Sequence, residues 1–174
     1  MKLDAPYFAR MVLRPSFDGE SSLILHGGEQ RQEFSATEKF FLTYSLAEKN
    51  LWYSMPENNE EKKQKEINVT VTTVPVPKPM AVRLCSIWNR MILRTRVPVT
   101  SVNGFDGISI EFATQRGYGE TWTPMQRKSP LLFVELGESL IDYCKASEED
   151  RKAKLKKVSQ KAGKLENYLD AHKP

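Results

Sequence analysis

Apolar stretches of period two, joined by turn signals too short to hold a crossover helix, recur along this chain of 174 residues. Phe8 to Leu13 reads as a strand that stops at Arg14-Pro15. Asp18-Gly19 supplies a tight turn, and Ser22 to His26 returns as a second strand closed by Gly27-Gly28. Further on, Asn103-Gly104 and Asp106-Gly107 precede another such pair. Ile108, Ile110 and Phe112 alternate with Ser109, Glu111 and Ala113, Gln115 to Gly119 reads as a hairpin loop, and Thr121-Trp122-Thr123 returns. Strands connected this briefly must pair antiparallel, because a parallel pair needs a crossover of a dozen or more residues.

Between these pairs the pattern is mixed. A third short strand is expected around Gln32 and Phe34. Ser35 and Glu38 match a capping box and predict a helix carrying Phe40, Phe41, Tyr44 and Leu46 to Asn50. Leu51, Trp52, Tyr53 and Met55 make an aromatic exit from it, closed by Pro56. Glu57 to Glu66 is a mixed-charge run without an apolar face, read as a solvated loop. Ile67 to Val76 alternates again, with Ile67, Val69, Val71 and Thr73 expected on one face. Its Asn68-Val69-Thr70 sequon, lying inside a strand, is set aside as a glycosylation site.

Three later segments carry helical spacing. Pro79 suits a first helical turn, and Met80, Leu84, Ile87, Trp88, Met91 and Ile92 recur at three- and four-residue steps. Arg83, Arg90 and Arg94 fall on the other side of that helix, with Arg96 just beyond. Ser129 is expected to cap a second helix with Pro130 at its first position, its apolar face formed by Leu132, Val134 or Leu136, Leu140, Ile141 and Tyr143. Ser147 starts the last helix, where Glu148, Glu149 and Asp150 complement the helix dipole. Leu155, Val158, Ala162, Leu165 and Leu169 form a narrow seam along it, and Gly163 inside it costs about 1 kcal/mol relative to Ala.

The fold class read from this order is α+β: a mostly antiparallel sheet of five or six strands with about four helices packed on one face. Residues 1–146 are expected to form one domain, and residues 147–174 a basic amphipathic helix docked on it or pairing with a partner or with another copy. No stretch reaches the ~18 apolar residues of a membrane span. The first ten residues lack the basic-then-apolar order of a signal peptide, and Cys85 and Cys144 are expected as buried free thiols, so the expected compartment is the cytoplasm.

Catalytic motifs are scarce. The two histidines, His26 and His172, belong to no metal-ligand spacing, and no nucleophile elbow or phosphate-binding loop is present. No metal or cofactor is expected, and the chain is not read as an enzyme. Lys and Arg exceed Asp and Glu by 26 to 22, a weak electrostatic footprint for a nucleic-acid binder. Two patches stand out as candidate partner contacts. One is Arg116, Tyr118 and Trp122 at the hairpin, since Arg, Tyr and Trp dominate interface hot spots. The other is the row Arg83, Arg90 and Arg94, whose guanidinium groups could grip carboxylates or phosphates.

Phe105-Asp106-Gly107, the alternating strand, Trp122-Thr123-Pro124 and the capped helix resemble a module of small uncharacterised bacterial proteins, a layout also found among immunity proteins. The resemblance spans residues 104 to 145 and implies a compact α+β binding protein without catalytic residues. The expected function is a bacterial protein-binding domain of the immunity or accessory type that occludes a partner protein, a toxin for example. The alternatives are a nucleic-acid-associated protein using the basic helices, and an enzyme whose carboxylates are dispersed along the chain.

Overall fold

The computed structural model describes residues 7–27, 39–58, 66–95, 107–122 and 128–172. Six strands run in the order β1 (Ala9–Pro15), β2 (Ser21–Gly27), β3 (Phe40–Ala47), β4 (Val69–Val76), β5 (Ile108–Thr114) and β6 (Gly117–Trp122). Helix α1 (Lys78–Leu93) lies between β4 and β5, and α2 (Lys128–Lys145) and α3 (Glu148–Ala171) close the chain. The strands form one sheet in the order β4-β3-β2-β1-β5-β6, and every neighbouring pair is antiparallel. The α+β class and the antiparallel sheet are as the turn chemistry predicts. The helices number three among the described residues.

The missing helix is the segment from Phe40. Instead of helix, Phe40 to Ala47 is β3, the second strand from the β4 edge. Phe40, Leu42 and Tyr44 point into the core while Phe41 and Thr43 point out. Apolar residues stand on both faces, so the alternation is masked in the sequence, and the aromatic and β-branched side chains suit a pleated sheet. Ser35, Glu38, Gln32 and Phe34 lie outside the described residues.

The phase of β4 is also the reverse of the expectation. Val74 and Val76 are buried, whereas Val69 and Val71 are exposed. Pairing decides this: Val74 sits opposite Leu42 and Val76 opposite Phe40, both core residues, and period two then turns Val69, Val71 and Thr73 outward. The β5–β6 turn narrows to Gln115-Arg116, so Gly117, Tyr118 and Gly119 belong to the strand rather than to a loop. Helix α2 starts at Lys128, which puts Ser129 and Pro130 inside its first turn instead of at a cap.

One face of the sheet carries Ala9, Met11, Leu23, Leu25, Leu42, Tyr44, Ile110 and Phe112, all buried. Helices α1 and α2 cover this face. Phe133 of α2 meets Trp88 of α1 and Phe112 of β5 edge-on, with centroids 4.6 and 5.0 Å apart. The Trp88 indole N–H donates to the Arg10 carbonyl (3.0 Å), which fixes α1 on the central strand. On α2, Phe133, Val134, Leu136 and Leu140 are buried, and Leu132 and Ile141 only partly so.

Helix α3 packs on α2 and α1. Ser147 caps it by accepting from the Asp150 N–H (3.2 Å). Val158, Ala162, Leu165 and Leu169 are fully buried in this packing, so the seam read from the sequence is spent on the chain's own helices. Cys85 and Cys144 are buried free thiols, and burial pushes both up to about 12. No described helix is long and apolar enough to cross a membrane.

Candidate protein-binding surface

The arginine row does not face solvent as a set. Arg83 chelates Glu166 of α3, its Nε 2.9 Å and its Nη2 2.6 Å from Oε2, and its Nη1 donates to Ser159 (2.9 Å). The Glu166 hydrogen bond, set against the cost of burial, raises the Arg83 pKa above its ordinary value. Arg90 pairs with Asp170 (2.7 Å), and Arg94 donates to the Leu169 carbonyl (2.7 Å) near the end of α3. Gly163 belongs to this contact, since a Cβ there would come within 3.2 Å of Arg83 Nη2. A glycine that weakens the helix locally lets the guanidinium lie across it. All three arginines therefore fasten α3 to α1.

The lysines of α3 are used similarly on its α2 side. Lys154 and Lys157 both reach Asp142 (3.3 Å each), and Lys161 pairs with Glu135. Hydrogen bonds from these lysines hold both carboxyl groups below their ordinary values against the opposing effect of burial. Glu135, Asp142, Lys157 and Lys161 of these pairs line the groove between α2 and α3.

The hairpin patch is not a tip. Arg116 occupies the β5–β6 turn, whereas Tyr118 and Trp122 lie along β6 on the sheet face opposite α1 and α2. Tyr118 is exposed and Trp122 half-buried. Between them stands Glu120, which accepts from Ser109 Oγ (2.6 Å) and from the Tyr118 hydroxyl (3.2 Å), and the neighbouring Glu111 pairs with Arg14. Trp122 pairs with Ser109 at the end of the sheet where β1 reaches Pro15, far from Arg116.

At that same end three large aromatics are exposed. Phe17, in the β1–β2 turn, is 71% exposed, and after β3 Trp52 and Tyr53 are 61% and 50% exposed. Leu51 and Met55 are exposed beside them. Exposure here does not reflect a loose backbone. Buried Asn50 donates through Nδ2 to the Pro15 and Asp18 carbonyls (3.2 Å each) and accepts from the Tyr53 N–H at Oδ1 (3.3 Å). The Leu51 N–H donates to Glu20 Oε2 (2.7 Å), and Ser54 Oγ donates to the Asn50 carbonyl (2.8 Å). Two short 3₁₀ turns, Trp52–Ser54 and Pro56–Asn58, shape the stretch. The β1–β2 turn is pressed against the end of β3, since a Cβ on Gly19 would stand 1.9 Å from the Ala47 carbonyl oxygen. Ser16 and Gly107 bond each other through Oγ and backbone, tying the turn to the start of β5.

The aromatic exit at 51–55 is visible in the sequence but is not among the contact residues expected from it. Its signal was a Leu-Trp-Tyr-x-Met run without helical or strand period directly after an Asn. Phe17 carried a weaker one, an aromatic beside an Asp-Gly turn.

Among the described residues no three His, Cys, Asp or Glu side chains converge as metal ligands. His26 lies 2.9 Å from Thr43 Oγ1 and stacks on Phe41, and His172 bonds the Tyr168 carbonyl (3.0 Å). Compared with protein-family models, with curated proteins and with solved structures, the chain matches none.

Proposed function

We propose that this protein is a protein-binding module of the immunity or accessory type, which occludes a partner by seating its aromatic ledge against it. The ledge is Trp52 and Tyr53 with Leu51 and Met55, flanked by Phe17. One observation carries the reading: large aromatics are exposed on a backbone fixed by Asn50, Glu20 and Ser54. Large apolar side chains grouped on a surface mark interaction sites more often than chance exposure. Tyr and Trp supply contact area at low entropic cost, and a preorganised backbone removes much of the ordering cost of binding. Trp122 extends the surface along the outer sheet face, and Tyr118 and Arg116 border it at a distance. The action is steric and needs no catalytic residue.

The arginine row supports a nucleic-acid reading less well, because the donors it would use end on Glu166, Asp170 and the Leu169 carbonyl. The experiment is calorimetric titration with the product of the adjacent gene. Wild type should bind, and Trp52→Ala/Tyr53→Ala should lose affinity about 100-fold, the scale of a hot-spot pair. Equal affinity in the double variant would move the contact elsewhere. Tight binding to duplex DNA or RNA with a steep salt slope would favour the nucleic-acid class instead.

A further inference from the structure

The two edges of the sheet differ. Edge β6 carries Glu120 and two glycines, and the charged side chain is of the kind that discourages a seventh strand. Edge β4 runs Val-Thr-Val-Thr-Thr-Val-Pro-Val with no charge at all. Its hydrogen-bonding direction follows from two bonds at the end of the sheet. The Glu48 N–H donates to the Asn68 carbonyl (2.9 Å), and the Ala47 N–H turns the other way, to the Glu20 carbonyl (2.9 Å). Ala47 therefore faces Val69 without a direct bond, and the even-numbered residues of β4 bond β3. The backbone groups of Val69, Val71, Thr73 and Pro75 point away from the sheet. Val69 is 50% and Val71 59% exposed.

One end of this free row is closed. Pro75 has no N–H, so its place on the outer side of an edge strand leaves no donor unpaired. Its carbonyl accepts the Tyr143 hydroxyl of α2 (2.6 Å). Among the described residues, what remains open is a window of Val69, Val71 and Thr73, and it is symmetric about Val71.

We infer that β4 is the contact between two copies of this chain, pairing antiparallel with itself about a two-fold axis at Val71. In that register Val71 faces its own copy, and Val69 faces Thr73 of the other chain. Each of the three residues then exchanges both backbone bonds with its opposite number, the hydrogen-bonded pairing of an antiparallel ladder. The self-facing strand brings no like charges together, and the Val71 pair meets on the outer face as a cross-strand apolar contact. An isologous contact of this kind closes at two copies. The window is short, so the dimer is concentration-dependent, with dissociation in the micromolar range or weaker. This inference is independent of the aromatic ledge.

Sedimentation equilibrium from micromolar to millimolar protein tests it. The mass should rise toward twice 20.0 kDa, and Val71→Lys, at an exposed position, should stay monomeric with an unchanged circular dichroism spectrum. Register is read by oxidative cross-linking. Facing Cα atoms about 5.5 Å apart permit a disulfide, so Val71→Cys should give a covalent dimer. Thr73→Cys alone should not, its two copies being about 13 Å apart along the strands, but mixed with Val69→Cys it should. The buried Cys85 and Cys144 keep the background low. A wild-type chain that stays monomeric throughout, or Thr73→Cys cross-linking as well as Val71→Cys, overturns the inference.

Discussion

Asn50→Ala is the most informative single perturbation of the ledge. The side chain makes three well-formed bonds, to the Pro15 and Asp18 carbonyls and from the Tyr53 N–H, at 3.2, 3.2 and 3.3 Å. A neutral intramolecular hydrogen bond contributes about 1 kcal/mol net. Water can reach part of this region, so the loss should be about 2–3 kcal/mol rather than more. That is a large fraction of the ~5–15 kcal/mol by which domains are stable. Asn50→Asp should be worse at neutral pH, because a carboxylate would face two carbonyl oxygens where the amide now donates. It should recover on acidification as the carboxyl gains a proton able to donate. Urea denaturation gives the free energies, and hydrogen exchange should show faster opening confined to the β1–β2 turn and residues 51–55. A change within ~0.5 kcal/mol, the range of ordinary surface substitutions, would refute the view that Asn50 orders the ledge.

Other positions yield further expectations. Gly19→Ala should cost about 1–3 kcal/mol in the same denaturation assay, the usual penalty of overpacking, because its Cβ would overlap the Ala47 carbonyl. Arg83→Met should loosen α3, raising hydrogen exchange in residues 155–170, with a modest cost of about 1–2 kcal/mol because the Glu166 pair is partly solvated. Gly163→Ala should gain helix propensity yet not stability, since its Cβ meets the Arg83 guanidinium, and thermal melting checks the sign. Glu135 and Asp142 have folded-state values below their unfolded ones, so their contribution is present above the ordinary carboxylate range and is lost as pH falls through the folded values. Denaturation at about pH 6 and about pH 3, which bracket the ordinary ~3.9 and ~4.3, should show that loss in wild type and less of it in Lys154→Met/Lys157→Met/Lys161→Met.

Much of the architecture was legible because local chemistry and tertiary demand agree. Asp18-Gly19 makes the first hairpin, the spacing from Met80 to Met91 makes α1, and Ser147 with its following acids starts α3. The segment from Phe40 is strand where its sequence suggests helix, because a strand with apolar residues on both faces has no visible period. In β4 the valines at both ends compete for the buried phase, and only the pairing of Val74 with Leu42 and Val76 with Phe40 decides which end is buried. The contact residues were harder still. Arg83, Arg90 and Arg94 look like a free cationic row until residues some eighty positions later supply Glu166, Ser159 and Asp170. Trp52 and Tyr53 become a surface only through Asn50, whose partners lie in a different hairpin. Such long-range bonds leave no periodic trace in a sequence.

Hydroxyl-radical footprinting of the complex with the partner protein probes the ledge itself, residue by residue. Trp52, Tyr53 and Phe17 should lose most of their reactivity on binding, while Leu93 and Leu131, exposed elsewhere, keep theirs. Protection confined to α3, with Trp52 and Tyr53 as reactive as in the free protein, would contradict the proposed surface.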